Sequence, residues 1–142
     1  MLRRPRPPLP LPLPLPLEKE TAIMSDLLSR RLLFTSLVPS LVGHARALGY
    51  GATLGEVVRS QAAADWNAAH GLGISTSLHR EGLAVDLNLY AKEGLDFRYI
   101  TDGEGHTVLG PFWKALHPLC AWGGDFTKKD WDHYSVTFQG RR

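Results

Sequence analysis

Cysteine is almost missing: Cys120 stands alone among 142 residues. That excludes an intramolecular disulfide and any cysteine-rich zinc cluster, so the fold holds without oxidation. No uninterrupted apolar run reaches the length of a membrane span, and no membrane insertion is expected. Charge of one sign is scarce too, since 16 Lys and Arg face 14 Asp and Glu for a formal net charge of +2. The basic residues form small separated pairs, Arg3-Arg4, Arg30-Arg31, Lys128-Lys129 and Arg141-Arg142. Without a basic face or stripe there is no footprint for a phosphate backbone, which excludes nucleic acid as the partner. After Pro16, proline is confined to Pro39, Pro111 and Pro118.

The early prolines set the first residues apart. Arg3-Arg4-Pro5-Arg6 runs into a Pro-Leu alternation that ends at Leu17, followed by Glu18-Lys19-Glu20-Thr21. Proline at every second position forbids a helix and favours extended polyproline II. A basic start before an apolar run has the outline of a signal peptide, but the prolines break its apolar region and no small-residue cleavage site follows. Residues 1–23 are therefore expected to be a disordered leader, with one domain over residues 24–142. That length and a hydrophobic content of 44% suit a single globular domain with a real core.

Within the domain, Ser25 is positioned to cap a helix carrying Leu27, Leu28, Arg31 and Leu32, and Pro39 to open a second with Leu41, Val42 and Ala45 before Gly49. Residues 52–59 read as a strand and residues 61–70 as a short Ala-rich helix stopped by Gly71. Asp102-Gly103-Glu104-Gly105 between two β-prone runs predicts a hairpin, and Pro111 the start of a helix with Phe112, Trp113 and Leu116. Residues 133–138 alternate as a last strand. The fold class expected is α+β, a small antiparallel sheet with helices packed on one side.

Two separated stretches carry chemistry. In Ser77-Leu78-His79-Arg80-Glu81-Gly82-Leu83-Ala84-Val85-Asp86 a turn at Gly82 leads into a strand that puts Ala84 and Asp86 on one face. Asp130-Trp131-Asp132-His133 delivers a second histidine at the start of the last strand. A catalytic zinc takes three protein ligands and keeps a fourth position open, and His79, Asp86 and His133 supply that number. Arg59, where the residue 52–59 strand stops, offers a fork of donors for a carboxylate or an oxyanion.

These stretches resemble a known family, the zinc D-alanyl-D-alanine carboxypeptidases and L-alanyl-D-glutamate endopeptidases, which include many phage endolysins. Its Ser-x-His-x-x-Gly-x-Ala-x-Asp signature is intact from Ser77 to Asp86. A Trp-Gly-Gly-Asp-Phe-like run follows as Trp122-Gly123-Gly124-Asp125-Phe126, then Asp-x-x-His as Asp130 and His133, and Arg59-Ser60 matches an upstream Arg-Ser pair. The resemblance spans residues 41–138. It implies that His79, Asp86 and His133 bind Zn²⁺, that Asp130 is the general base in preference to Asp132, and that Arg59 steadies substrate and tetrahedral intermediate. Ser77 would orient a ligand or line the cleft, and Trp122, Trp131 and Tyr134 would shape a substrate wall. The chain departs from many relatives in having Ser135, where they have an acidic or amide residue two positions after the last histidine.

The resemblance implies a hydrolase of peptidoglycan stem peptides, with the endopeptidase activity favoured over the carboxypeptidase, and a monomer is the default expectation. It would be an endolysin held in the cytoplasm until a holin-type partner gives it access to the wall. The competing reading is a non-catalytic module of the same fold that keeps zinc and binds wall or protein partners. An intact base and arginine argue against it, because a structural zinc site needs neither.

Overall fold

One long helix, α1 (Leu15–Ala47), opens the described chain. The computed structural model describes residues 15–72 and 77–142, with residues 15–25 as backbone alone. Residues 1–14 of the expected leader lie outside the described residues, but from Leu15 the backbone is helical, overlapping the leader's last part. Glu18, Lys19, Glu20 and Ala22 are good helix formers, and Pro16 falls in the first turn, whose N–H groups have no helical partner to lose.

Two helices meeting at Pro39 were expected, and the structure has one, with Ser25 and Pro39 inside it. An interior proline removes a hydrogen bond and costs about 3 kcal/mol. Phe34 and Leu41, 3% and 0% exposed, lie on either side of it in one apolar stripe with Leu27 and Ala45. Burial of each large side chain in that stripe contributes about 1.5–3 kcal/mol, so continuity outweighs the proline, which faces solvent.

The sheet is antiparallel throughout and is built on one strand. Strands β1 (Gly51–Leu54), β2 (Ala84–Glu93), β3 (Asp96–Tyr99), β4 (Cys120–Trp122) and β5 (His133–Val136) form one five-stranded sheet in the order β1-β2-β5-β4, with β3 also on β2. Along one edge of β2 lies β1, and along the other lie β5 and then β3. Helix α2 (Gln61–Ala69) starts as expected, with the Ser60 hydroxyl accepting from Ala63 N at 3.1 Å.

The hairpin expected at residues 102–105 is not formed. The Asp102 carboxylate accepts from Glu104 N at 2.9 Å, a local turn that leads into α3 (His106–Leu116), with Gly105 at φ +74° before it. His106, Leu109 and Trp113 recur at helical spacing and are buried, so packing favours a helix over a strand there, and Pro111 lies inside it. The hairpin forms instead at Gly94-Leu95, between the paired residues Glu93 and Asp96, with Gly94 at φ +65°.

Helices α1 and α3 cover one face of the sheet. The Phe34 ring meets Trp113 edge-on at 6.1 Å, and Trp113 meets Tyr134 of β5 at 6.2 Å. Trp113 Nε1 also donates to the Ser135 carbonyl at 3.0 Å, tying helix to strand. Val85, Leu87, Leu89, Tyr134 and Val136 are buried in this core. Side chains alternate along a strand, so Ala84, Asp86, His133 and Ser135 take the opposite face. The fold is the expected α+β arrangement. Among the described residues no helix is long and apolar enough to cross a membrane.

Candidate metal centre

The site begins with strand register. Asp86 on β2 lies directly opposite His133 on β5. His79 arrives from the turn before β2, which closes through Leu83 N to Leu78 O at 3.0 Å and Gly82 N to His79 O at 3.2 Å. Gly82 sits at φ +69°, in the left-handed region a side chain disfavours. His79, Asp86 and His133 then offer one ligand atom each, all within 4.8 Å of one another. Asp86 Oδ1 is 3.2 Å from His79 Nε2 and 3.8 Å from His133 Nδ1. The two imidazole rings meet nearly at right angles, 75°, with centres 5.2 Å apart.

Both histidines are buried, and this shapes their charge. Burial opposes a proton on His79, yet the hydrogen bond and charge of Asp86, helped by Glu56, hold its pKa above the ordinary value. For His133, burial and then the neighbouring His79 push the pKa down. Two imidazoles and one carboxylate form a donor set that can hold a metal ion, and three protein donors leave a position open.

Around this group lies a cavity of about 570 Å³, lined in part by Glu56, Arg59, Ser77, Phe126, Asp130 and Arg142. Arg59 comes from a segment expected to be strand. After Leu54 the ladder loosens: Gly55 N donates to Asp86 O at 2.7 Å and Asp86 N to Glu56 O at 2.9 Å. Two residues facing one is the pattern of a bulge, which ends β1 early and re-aims the chain. Arg59 N then donates to His79 O at 3.0 Å, fastening this segment to the histidine turn. The Arg59 guanidinium donates to both Glu56 oxygens, through Nε to Oε1 and through Nη2 to Oε2. That hydrogen bond holds its pKa above the usual range, with burial opposing.

Asp130 also borders the cavity, with Oδ2 at 3.9 Å from His133 Nδ1. Asp132 instead lines a second cavity of about 200 Å³ on the other side of the loop, which Asp130 borders as well. The Asp132 carboxyl is pushed up to about 7, first by burial, then by Asp86 and by its hydrogen bond with Asp130. In its protonated form Asp132 donates to the Asp130 carboxylate.

Ser77 lines the main cavity, and its hydroxyl accepts from His79 N at 3.3 Å. Trp122, Trp131 and Tyr134, expected along a substrate wall, do not line the cavity around the metal group. Tyr134 is 0% exposed with its hydroxyl 2.8 Å from His106 Nδ1. Trp122 is buried and donates to the Trp131 carbonyl at 2.8 Å, and Trp131 lines the smaller cavity. Tryptophan beside glycine here is packing: a Cβ on Gly110 or Gly124 would meet the Trp122 ring at 2.1 or 2.2 Å. Sequence reasoning missed Glu56, Phe126 and the cavity-lining Arg141 and Arg142. Glu56 left one trace, an acid three residues before an arginine.

No protein-family model matches the chain, and no curated protein resembles it in sequence. Among solved structures it is similar to the L-Ala D-Glu endopeptidase ChiX of Serratia marcescens. The likeness has a TM-score of 0.53 at 21% identity and covers 62% of this chain and 68% of that one. At that identity what is shared is the fold.

Proposed function

We propose that this chain is a zinc peptidase that hydrolyses peptide bonds in peptidoglycan stem peptides, as an L-Ala-D-Glu endopeptidase rather than a D-Ala-D-Ala carboxypeptidase. The observation that carries the reading is the convergence of His79, Asp86 and His133 within 4.8 Å in the lining of a cavity that Asp130 and Arg59 also line. The similarity in fold to an L-Ala D-Glu endopeptidase supports the choice of bond. A phage-type role, with release to the wall through a holin-type partner, is part of the same proposal.

The donor set suits zinc, which accepts imidazole and carboxylate in a site with an open position. When bound, the metal supplies polarisation of the scissile carbonyl and a lowered pKa for water. The side chains do the rest. Asp130, 53% exposed at its side chain and beside His133, takes the proton of the attacking water and returns it to the leaving amine. Arg59 spends two donor groups on Glu56 and keeps its Nη1 donors for the substrate oxygen that gains charge. Asp132, on the far side of the loop, supports the Asp130 carboxylate by hydrogen bonding.

The test is zinc content together with turbidity loss on outer-membrane-permeabilised Gram-negative cells, comparing the wild type with Asp130→Ala. The wild type is expected to hold about one zinc and lyse cells, and Asp130→Ala to keep the metal and lose lysis. A zinc-loaded wild type that cleaves neither walls nor purified muropeptides would make the chain a binding module instead.

A further inference from the structure

Three arginines line the cavity around the metal group, and they differ in what holds them. Arg59 is forked onto Glu56. Arg141 is 3.5 Å from the Glu81 carboxylate and donates to Gln139. Arg142 makes no ion pair with an acidic side chain among the described residues. Its guanidinium lies over the Phe126 ring at 5.2 Å, and Phe126 leans on the His133 ring at 5.4 Å. One aromatic ring thus separates a free guanidinium from a proposed metal ligand.

A guanidinium laid on a ring face keeps its N–H donors in its own plane, pointing outward. Among the described residues those donors have no side-chain acceptor, and they match the geometry of a carboxylate. The protein's own acids in the cavity are engaged elsewhere: Glu56 is taken by Arg59, Asp86 lies between the two histidines, and Asp130 stands beside His133. A cation without an acidic side-chain partner in the lining of this cavity is therefore suited to an anionic ligand. In a peptide whose D-glutamate is linked onward through its γ-carboxyl group, the α-carboxylate is free and sits on the carbon bonded to the scissile amide nitrogen.

We propose that Arg142, held on Phe126, determines specificity by binding a free substrate carboxylate next to the scissile amide, so that the D-glutamate form is preferred over the amidated form. The inference rests on the proposed function and sharpens its substrate class.

The experiment uses the full zinc-loaded chain and two synthetic peptides, L-Ala-γ-D-Glu-L-Lys and its α-carboxamide counterpart. Initial rates give kcat and KM, and titration in the Asp130→Asn background gives Kd for both peptides. The wild type is expected to prefer the acid by about tenfold, carried in KM and Kd and weakened by salt. Arg142→Gln is expected to bring the ratio close to one, Arg142→Glu to invert it, and Arg142→Lys to restore part of it. A ratio that survives Arg142→Gln and Arg142→Glu, or equal losses on both peptides, overturns the proposal. If the wild type cleaves neither peptide, the peptidase reading fails, and the Kd ratio and its response to Arg142 still decide the carboxylate site.

Discussion

Asp86 and His133 face each other across adjacent antiparallel strands, with Asp86 Oδ1 3.8 Å from His133 Nδ1 and 3.2 Å from His79 Nε2. Strand pairing sets the carboxylate against His133, and the turn before β2 brings His79 to its other side. A donor fixed by a ladder loses little further freedom when it takes up an ion. Replacing Asp86 leaves the ladder and removes the anion. Asp86→Ala is expected to lower zinc affinity by more than about 100-fold while the far-ultraviolet dichroism stays native. Metal titration monitored by competition with a chelator measures this, and unchanged affinity would remove Asp86 from the ligand set. In the wild type, excess zinc should raise the melting temperature and chelation lower it, because an ion that binds only the folded state stabilises it by mass action.

The Arg59–Glu56 fork makes a second expectation. Glu56→Gln keeps the size and one acceptor oxygen but removes the charge that aims the guanidinium. Arg59 remains cationic but is no longer held, so kcat should drop by about 10- to 100-fold with zinc content unchanged. Arg59→Lys should lose a similar factor, since an ammonium cannot fork onto one acid and still present donors to substrate. Steady-state kinetics on a stem peptide with parallel zinc analysis reads both. Loss of metal in Glu56→Gln would assign Glu56 to the metal group instead.

His106 links stability to pH. It is 2% exposed at the start of α3, with its ring against Tyr134, and its pKa is lowered from 6.5 to about 4, chiefly by burial, with Asp102 opposing. A depressed folded-state pKa means that the unfolded chain binds the proton first. The contribution of this group is complete above about 6.5 and is lost as pH falls towards 4. The loss reaches about 3 kcal/mol at the low end. Urea unfolding of the metal-free protein between pH 7 and pH 4 should show this slope, and His106→Gln, neutral throughout, should flatten it.

Much of the site was legible because its chemistry is local. The His79 turn needs Gly82, Asp86 follows on an alternating strand, and β5 starts at His133 as the pattern required. What was hidden depends on partners distant in sequence. Nothing near Pro39 says that the stripe from Phe34 to Leu41 will be buried and hold one helix together. Asp102-Gly103 suits a hairpin by residue type, and only the burial of Leu109 and Trp113 turns the following run into α3. Trp131 and Tyr134 look like substrate contacts beside a metal ligand, but strand alternation sends Tyr134 to the helix-covered face. Arg142 reaches the cavity through Phe126, a contact that no spacing rule encodes.

Gly123 is the last residue on which the geometry makes a demand. It opens the turn Gly123–Asp125 after β4, and a Cβ there would lie 2.1 Å from the Asp130 carbonyl oxygen and 2.9 Å from His133 Cβ. Asp130 N in turn donates to Gly123 O at 3.0 Å, so the loop carrying the proposed base is laid directly on this glycine. The obstructing atom is backbone and cannot rotate away. Gly123→Ala is therefore expected to cost about 2–4 kcal/mol of stability and to shift Asp130 and His133 together. Zinc affinity and kcat should then fall jointly, unlike Asp130→Ala, where kcat falls alone. Cys120 supplies a built-in stability gauge, because burial hides its thiol and pushes its pKa up to about 11. Its labelling by a thiol reagent under native conditions should quicken in Gly123→Ala in proportion to the lost stability, and labelling as slow as in the wild type would show that the loop has room for the methyl group.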